Sequence, residues 1–322
     1  ADSTWWGMGV NRFNELAFPA PVFTPMAGNW PHGVSSPTQM FGGETDFINV
    51  QNNQRFGGGL KSDGTLWMMG RGDSGQMGNN SIVYRSSPVQ VGTESNWYDF
   101  GLGYAHVIAK KTDGSLWAWG QNHYGQLGQN NETKRSSPTR IGTGTNWGDD
   151  RDTQGMKGTG GSSFVVDASG NLWAWGQNTY GSLGQNQGGS SHYSSPKQVP
   201  GTWTTLSHNT YSQTIQGRKS DGTLWFWGIN NQGQIPGNPY YASSPVQQGT
   251  STNWALGKHD ASNYNAGGID TSGNLYVWGS NSGGQLGQNN VSSAPGEYDK
   301  QVPGTWKNMR LSWDACIATK EP

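Results

Sequence analysis

Short apolar and aromatic runs, each ending at a small polar turn, recur along the chain. In one example, residues 107–111 and 115–119 are apolar segments on either side of the turn Thr112-Asp113-Gly114. This pattern predicts strand, tight turn and strand, because Asp-Gly readily supplies the positive φ that such turns require. The alternation therefore favours antiparallel sheets joined by hairpins.

The pattern returns at a regular spacing, marked by the first aromatic residue of a Leu-Trp-x-Trp-Gly unit. The markers are Trp6, Trp67, Trp117, Trp173, Trp225 and Tyr276. Successive markers lie 50 to 61 residues apart, and counting from Tyr276 through the C-terminus to Trp6 gives 52. Small sheets that cannot bury both faces alone stack around an axis in β-propellers. We therefore predict an all-β chain, a six-bladed β-propeller of four-stranded antiparallel blades, with the first blade closed by both termini.

Further landmarks follow a fixed order in each repeat and divide the chain into blades. A Gly-containing turn precedes the marker, and a Gly-Gln-Leu-Gly segment, a Ser-Pro pair and an aromatic residue follow it. One domain is expected over residues 1–322. Its blades are 305–322 plus 1–45, 46–95, 96–145, 146–201, 202–252 and 253–304.

Composition narrows the classes of function. The formal net charge is −1 and charged residues make up 13%, which gives no electrostatic signature for nucleic acid. Cys316 is the single cysteine, so no disulfide forms within the chain. No apolar run approaches the roughly 18 residues of a membrane span, and no signal peptide is recognised.

The recurring segments resemble the repeats of the regulator of chromosome condensation family. The resemblance rests on Leu-Trp-Ala-Trp-Gly-Gln-Asn at residues 116–122, followed by Gly-Gln-Leu-Gly and Ser-Ser-Pro, and it covers essentially the whole chain. The founding family is a seven-bladed propeller, whereas six repeats are counted here. The resemblance implies exchange factors for guanine nucleotides, chromatin binders, or bacterial and phage proteins with similar repeats.

The sequence lacks the common motifs of enzyme active sites. It has no Gly-x-Ser-x-Gly, Walker, His-Glu-x-x-His or Cys-x-x-Cys motif. His106 is expected to have a packing or hydrogen-bonding role, and the acidic run at 149–152 to be a solvated edge instead of a calcium site. We therefore expect a protein that is not an enzyme and uses no cofactor or metal.

Departures from the repeat point to binding. Between Ala17 and Ser35 the first blade carries about ten additional residues with four prolines, which disfavour a regular ladder. This insert either contacts a protein partner or folds back as a plug. The candidate partner-binding residues are Phe18, Phe23, Met26 and Trp30.

Loop tyrosines form a second candidate site. A tyrosine ring beside Asn, Gln and Gly suits the apolar face and hydroxyls of a sugar, although repeat-derived capping of blade edges is the alternative. The candidate glycan-binding residues are Tyr124, Tyr180, Tyr193, Tyr240 and Tyr241.

These observations favour a non-enzymatic propeller that acts as a structural or adhesive binding protein of a phage virion or bacterial surface. The expected location is therefore the virion or cell surface, with the cytoplasm left open. The alternatives are an exchange factor for a small GTPase, implied by the family resemblance, and a glycan-binding module. A protein partner is expected, and neither nucleic acid nor a membrane span is.

Overall fold

The computed structural model describes most of the chain. The described residues are 4–10, 33–40, 44–148, 155–189, 191–207, 213–237, 240–262, 264–291, 300–312 and 315–320. They divide into two compact units, residues 1–145 and 146–322. Apart from a single 3₁₀ turn at Thr179–Gly181, the regular elements described are antiparallel β-strands, which confirms the all-β prediction.

The first unit contains two four-stranded sheets and one strand pair. The sheets are β3-β4-β5-β6 and β7-β8-β9-β10, each a meander in chain order, and the pair is β1-β2. The strands are β1 (Trp6–Val10), β2 (Gly33–Gln39), β3 (Phe47–Asn52), β4 (Phe56–Lys61), β5 (Leu66–Gly70), β6 (Arg85–Gln90), β7 (Trp97–Leu102), β8 (His106–Lys111), β9 (Leu116–Gly120) and β10 (Arg135–Arg140).

The second unit repeats the same meander. The strands are β11 (Met156–Gly158), β12 (Ser162–Val166), β13 (Asn171–Gly176), β14 (Tyr193–Ser207), β15 (Thr214–Lys219), β16 (Leu224–Ile229), β17 (Tyr241–Gln247), β18 (Trp254–Ala261), β19 (Asn265–Asp270), β20 (Leu275–Gly279), β21 (Gln301–Val302), β22 (Trp306–Leu311) and β23 (Cys316–Lys320). Strands β11 to β17 form one seven-stranded sheet in which β14 serves two meanders. Strands β18 to β21 form a four-stranded sheet, and β22 pairs with β23.

Each strand pair has the register of half a four-stranded sheet. Met309 pairs with Ala318 as Phe100 pairs with Ala109, so β22-β23 corresponds to the first two strands of a blade. Gly7 pairs with Thr38 in β1-β2, which has the register of the last two strands. The antiparallel four-stranded sheet is therefore confirmed for three sheets, whereas the strands assigned to the first blade form two separate pairs and do not show its predicted closure.

Glycine turns and tryptophans shape each sheet. Gly222 in the turn before β16 has φ +86°, and a Cβ there would lie 1.9 Å from the Thr252 carbonyl oxygen. Only glycine accommodates both the positive φ and this close approach. Fully buried tryptophans, including Trp119 in the first unit and Trp227 in the second, fill the space between neighbouring meanders.

At the hairpin end of the sheets, a lysine side chain lies over two tryptophan rings. Lys219 lies over the rings of Trp203 and Trp225, with Nζ 5.0 and 3.6 Å from the ring centroids. Lys111 lies in the same way over Trp97 and Trp117. A cation held between two indoles favours both the charge and the ring packing. The lysine of the hairpin therefore ties the first strand of a sheet to the third.

Candidate binding surfaces

A loop of common construction follows the third strand of each four-stranded meander, including the two meanders that share β14. In the first unit, the Asn122 side chain accepts from the Leu127 backbone N–H at 2.9 Å, and Gln126 Oε1 accepts from the Tyr124 N–H at 2.9 Å. The same glutamine bond forms in three further loops, from the backbone N–H of Ser74, Gln232 and Gly283. The glutamine thus fixes the backbone two residues before it.

One loop departs from this construction, because Ser182 stands where the others have glutamine. The Ser182 hydroxyl is too short to reach the backbone of Tyr180 and donates instead to the Gln177 carbonyl oxygen at 3.2 Å. Tyr180 adopts φ +57° and ψ 23°, a left-handed conformation that a bulky residue rarely takes. A single change from glutamine to serine therefore accompanies a redirected tyrosine.

Tyr180 meets two other tyrosines. Its ring centroid lies 5.9 Å from that of Tyr240 and 6.4 Å from that of Tyr241, and the latter two are 6.4 Å apart. Tyr240 is 51% exposed and Tyr241 is 44% exposed. We call these three residues the tyrosine cluster. The structure thus brings together three of the five tyrosines that the sequence singled out.

The other two predicted tyrosines lie outside this cluster. Tyr193 is half-buried, and its hydroxyl donates to Gln187 Oε1 at 2.6 Å. Tyr124 is also half-buried, in a loop held by its own glutamine. Tyr124 belongs to the first unit, whereas the tyrosine cluster lies in the second. A capping role fits these two residues better than a shared ligand site does.

A second exposed surface was not predicted from the sequence. Ile82, Val83 and Tyr84 are 55%, 56% and 49% exposed, three consecutive large apolar residues on a polar protein. Arg71 and Asp73, whose atoms Nη2 and Oδ2 are 2.5 Å apart, supply charged groups beside Tyr84. An apolar centre with a charged rim is typical of a protein contact surface. We call Ile82–Val83–Tyr84 the apolar patch.

Strand register relates the two surfaces. In three repeats, a glycine at or near the end of one strand pairs with a residue of the next strand. The residue directly before that partner is Tyr84, Lys134 and Tyr241, respectively. The tyrosine cluster and the apolar patch therefore include the same repeat position, where another repeat carries a charged residue. The signal available in the sequence was this exchange of Thr133-Lys134 for two apolar residues.

The predicted partner-binding residues cannot be placed in the fold. Phe18, Phe23, Met26 and Trp30 lie outside the described residues, as does the acidic run at 149–152. His106 is fully buried, and a Cβ on Gly103 would lie 2.1 Å from its ring, so the imidazole packs against that glycine. Among the described residues no group of three or more His, Cys, Asp or Glu is arranged to hold a metal ion.

Two buried ionisable residues lie side by side on β18 in the second unit. His259 Nε2 is 2.7 Å from Thr205 Oγ1, and burial lowers the pKa of His259 to about 3. Asp260 accepts from Ser207 Oγ at 2.6 Å and from the Leu311 backbone N–H at 2.8 Å, and burial raises its pKa. Asp260 thereby joins the first strands of three successive repeats. The contacts described are those of a structural bridge.

No helix in the described part of the chain has the length and apolar character needed to cross a membrane.

The fold and repeats define a repeat protein of the β-propeller class. Models of the regulator of chromosome condensation (RCC1) repeat match residues 63–109, 113–148 and 169–209, and a second model of this repeat matches residues 98–126. These matches support the resemblance to the RCC1 repeat family that the sequence predicts, over the matched segments.

Solved structures agree over nearly the whole length. Human WBSCR16 matches 98% of this chain with 82% of its own, at 19% identity and a TM-score of 0.76. Yeast RCC1 (Prp20), solved bound to Kap60, matches 100% of this chain with 77% of its own, at 14% identity and a TM-score of 0.78. Prp20p from Saccharomyces cerevisiae, described with its binding to Gsp1p and histones, matches at 14% identity, 98% and 78% coverage and a TM-score of 0.77. At these identities the likeness shows the fold.

The comparisons correct the expected location. The expectation of a virion or cell-surface protein is wrong, because the structures matched over nearly the whole chain are a human protein and a yeast protein. The sequence features behind it, a near-neutral charge and a polar exterior, are compatible with either setting and did not discriminate between them. No comparison supports a glycan ligand.

Proposed function

We propose that this chain is a protein-binding β-propeller that promotes guanine-nucleotide exchange on a small GTPase through surface contacts, without covalent chemistry. The observation that carries the proposal is the whole-length match to yeast RCC1 (Prp20), whose structure has been described together with binding to Gsp1p. Exchange by surface contact needs no set of catalytic residues, which agrees with the lack of catalytic motifs in the sequence.

The surfaces that support a protein partner are the tyrosine cluster and the apolar patch. Both present half-exposed apolar or aromatic side chains, the residue types that anchor protein interfaces. Tyr240 and Tyr241 add large rigid rings with few rotatable bonds, so that little conformational entropy is lost on binding.

The experiment measures release of fluorescent GDP from a panel of small GTPases with and without this protein. We expect one GTPase to release nucleotide at least about tenfold faster, a change of about 1.4 kcal/mol in the barrier. The variant Tyr240→Thr/Tyr241→Lys, which installs the residues of the third repeat, should reduce that acceleration. Val291→Ser, an exposed apolar residue elsewhere, is the matched control and should leave it unchanged. Unaltered release across the panel would reject the exchange activity, and unaltered release with the double variant would reject the tyrosine cluster.

We also infer that the chain forms one ring of six blades, with the first blade made from both termini. The inference rests on the interval between markers across the termini and on the complementary registers of β22-β23 and β1-β2.

A further inference from the structure

The loop and the strand that carry the tyrosine cluster hold its rings in place. A Cβ on Gly181 would lie 2.3 Å from the Ser243 Cα, so this loop lies directly against β17. The Asn186 backbone N–H donates to the Ser243 carbonyl oxygen at 2.8 Å. Gly188 backs the ring of Tyr241, because a Cβ there would lie 3.1 Å from that ring. A surface fixed in this way loses little conformational entropy when a ligand binds.

The three rings are inclined to one another and leave furrows between them. The interplanar angles are 71° for Tyr180 with Tyr240, 54° for Tyr180 with Tyr241 and 85° for Tyr240 with Tyr241. A sugar stacks on the open face of an aromatic ring, and a longer glycan needs several such faces in one plane. The cluster therefore suits a ligand with projecting groups better than it suits a glycan.

The residues that frame the cluster carry no charge. They are Gly181, Asn186, Gln187, Gly188, Ser243 and Ser244. An acidic or a basic ligand therefore finds no complementary charge on this frame. The hydroxyls of Tyr180 and Tyr241 form no hydrogen bond with the other described residues, so each can donate to a ligand.

A polyproline II segment matches this surface in shape and chemistry. It rises about 3.1 Å per residue, so that pyrrolidine rings two positions apart are separated by about 6.2 Å along its axis. The ring centroids of the tyrosine cluster are 5.9 to 6.4 Å apart. The backbone carbonyls of such a segment form no internal hydrogen bonds and can accept from tyrosine hydroxyls. Grooves lined by aromatic residues recognise proline-rich segments for these reasons.

We propose that the tyrosine cluster binds a proline-rich segment of a partner protein in the polyproline II conformation. The pyrrolidine rings lie in the furrows, and the Tyr241 hydroxyl donates to a backbone carbonyl oxygen of the segment. The proposal rests on the proposed function only in taking the tyrosine cluster as a partner surface, and it does not require the partner to be a GTPase. Nucleotide exchange without peptide binding would reject only the proline-rich ligand, and peptide binding without exchange would reject only the exchange activity.

The test is a titration of the intact protein with N-acetyl-octaproline amide, followed by NMR of the tyrosine ring signals. We expect saturable shifts at Tyr180, Tyr240 and Tyr241 with a dissociation constant of about 0.1–1 mM, as for a short contact on a pre-formed surface. A Gly-Ser peptide of the same length should bind at least about tenfold more weakly, because it lacks the rings and is a flexible coil before binding. Chitohexaose should give no saturable shift.

Two variants test the location. Tyr240→Thr/Tyr241→Lys removes two of the three rings and should abolish the saturable shift at Tyr180. Ser182→Gln changes no tyrosine but gives the loop the glutamine of the other repeats, so that Tyr180 leaves the cluster. It should weaken binding of the octaproline peptide at least about tenfold, and it covers the case in which the double variant fails to fold.

A matched pair of variants tests the hydrogen bond. Tyr241→Phe should weaken binding about three- to tenfold, because the phenylalanine ring has no hydroxyl to donate. Tyr193→Phe is the control and should leave the affinity unchanged, because the Tyr193 hydroxyl already donates to Gln187. Equal affinities of the wild type and Tyr241→Phe would overturn the assigned hydrogen bond.

Three results would overturn the binding of a proline-rich segment. They are the absence of saturable shifts with octaproline, tighter binding of chitohexaose than of octaproline, and undiminished octaproline binding to folded Tyr240→Thr/Tyr241→Lys or Ser182→Gln protein.

Discussion

Ser182 and Tyr180 show how one side chain sets the conformation of a loop. In the other loops a glutamine amide oxygen holds the backbone N–H two residues earlier, and Ser182 lacks the length to do so. Tyr180 then takes a left-handed conformation, which costs about 1–2 kcal/mol for an L-residue, and reaches Tyr240 and Tyr241. The ring contacts offset part of this cost.

We predict that Ser182→Gln restores the loop seen elsewhere. The free energy of unfolding should rise by about 1 kcal/mol, because the backbone N–H gains a partner and the strain at Tyr180 is relieved. Urea denaturation measures the change, and aromatic NOEs should show the ring leaving Tyr240. The reciprocal control is Gln126→Ser, which should lower stability. A Ser182→Gln protein with unchanged NOEs would contradict this account.

His259 makes stability depend on pH. Its folded pKa of about 3 lies below the usual 6.5, so the unfolded chain binds the proton more readily. Stability from this residue is therefore complete above about pH 6.5 and lost as the pH falls, by about 2 kcal/mol between pH 7 and 5. Asp260, whose pKa is raised by burial, acts in the opposite sense, because its folded form binds the proton more readily than the unfolded chain does.

The variant His259→Leu isolates this effect. Leucine is the residue at the corresponding position of β14, Leu206, and it should remove the loss between pH 7 and 5. Thr205→Val/His259→Leu is the control for the hydroxyl left without its partner, a cost independent of pH. Denaturation curves measured between pH 7 and 5 give the free energy of unfolding of each variant as a function of pH. Parallel pH profiles for the wild type and His259→Leu would show that His259 does not cause the dependence.

At the scale of elements, an indole hydrogen bond joins one four-stranded meander to the next. Trp227, fully buried, donates to the Ser182 carbonyl, whereas the half-buried Trp225 donates to Thr223 within its own hairpin. Trp227→Phe should therefore lower the free energy of unfolding by about 1–3 kcal/mol, through the lost bond and the residual cavity. Trp225→Phe is the matched control and should cost less in the same urea experiment. Equal losses of unfolding free energy in the two variants would mean that the hydrogen bond from Trp227 to Ser182 contributes little.

The elements were more predictable than the surfaces. Asp113-Gly114 and the strands around it follow from local turn chemistry and apolar alternation. The loop at 233–237 departs from the Gly-Gln-Leu-Gly segment, because Ile235-Pro236 replaces Leu-Gly, yet its Gln234 carbonyl accepts from Trp278 as in the other repeats. A sequence motif records residue types, whereas the loop conformation depends on which atoms form hydrogen bonds.

Exposure and contact between loops were the least predictable properties. Ile82, Val83 and Tyr84 read as another apolar run, and nothing local indicates that they face solvent. Tyr180 and Tyr124 share a repeat position, but only Tyr180 joins the tyrosine cluster, because the residue two places later differs. Such contacts depend on residues 60 positions apart in the sequence, as Tyr180 and Tyr240 are.

For the whole molecule, the repeat register predicts how the ends meet. Val107 pairs with Trp119 between β8 and β9, and Cys316 and Met8 hold the corresponding repeat positions. Directly opposed residues of antiparallel strands have Cα atoms about 4.5–5.5 Å apart, within the range of a disulfide. Met8→Cys should therefore form a disulfide with Cys316 if the first blade is shared by both termini.

Mass spectrometry after treatment with a thiol oxidant detects this bond. An oxidant is needed because burial raises the pKa of Cys316 to about 11, which leaves little thiolate at neutral pH. Met69→Cys, at the same repeat position in the second blade, is the matched control and should keep both thiols free. Two free thiols in Met8→Cys would refute the shared blade.

The glutamine-to-serine change at position 182 also bears on how such a protein acquires new contacts. Each loop is braced by its own side chains, so a substitution in one loop alters what that loop presents while the buried tryptophans keep their partners. Selection can therefore act on one loop at a time, and duplicated repeats provide copies in which binding residues diverge without loss of the scaffold. A few point mutations in a single loop can therefore change the surface that this chain offers to a partner.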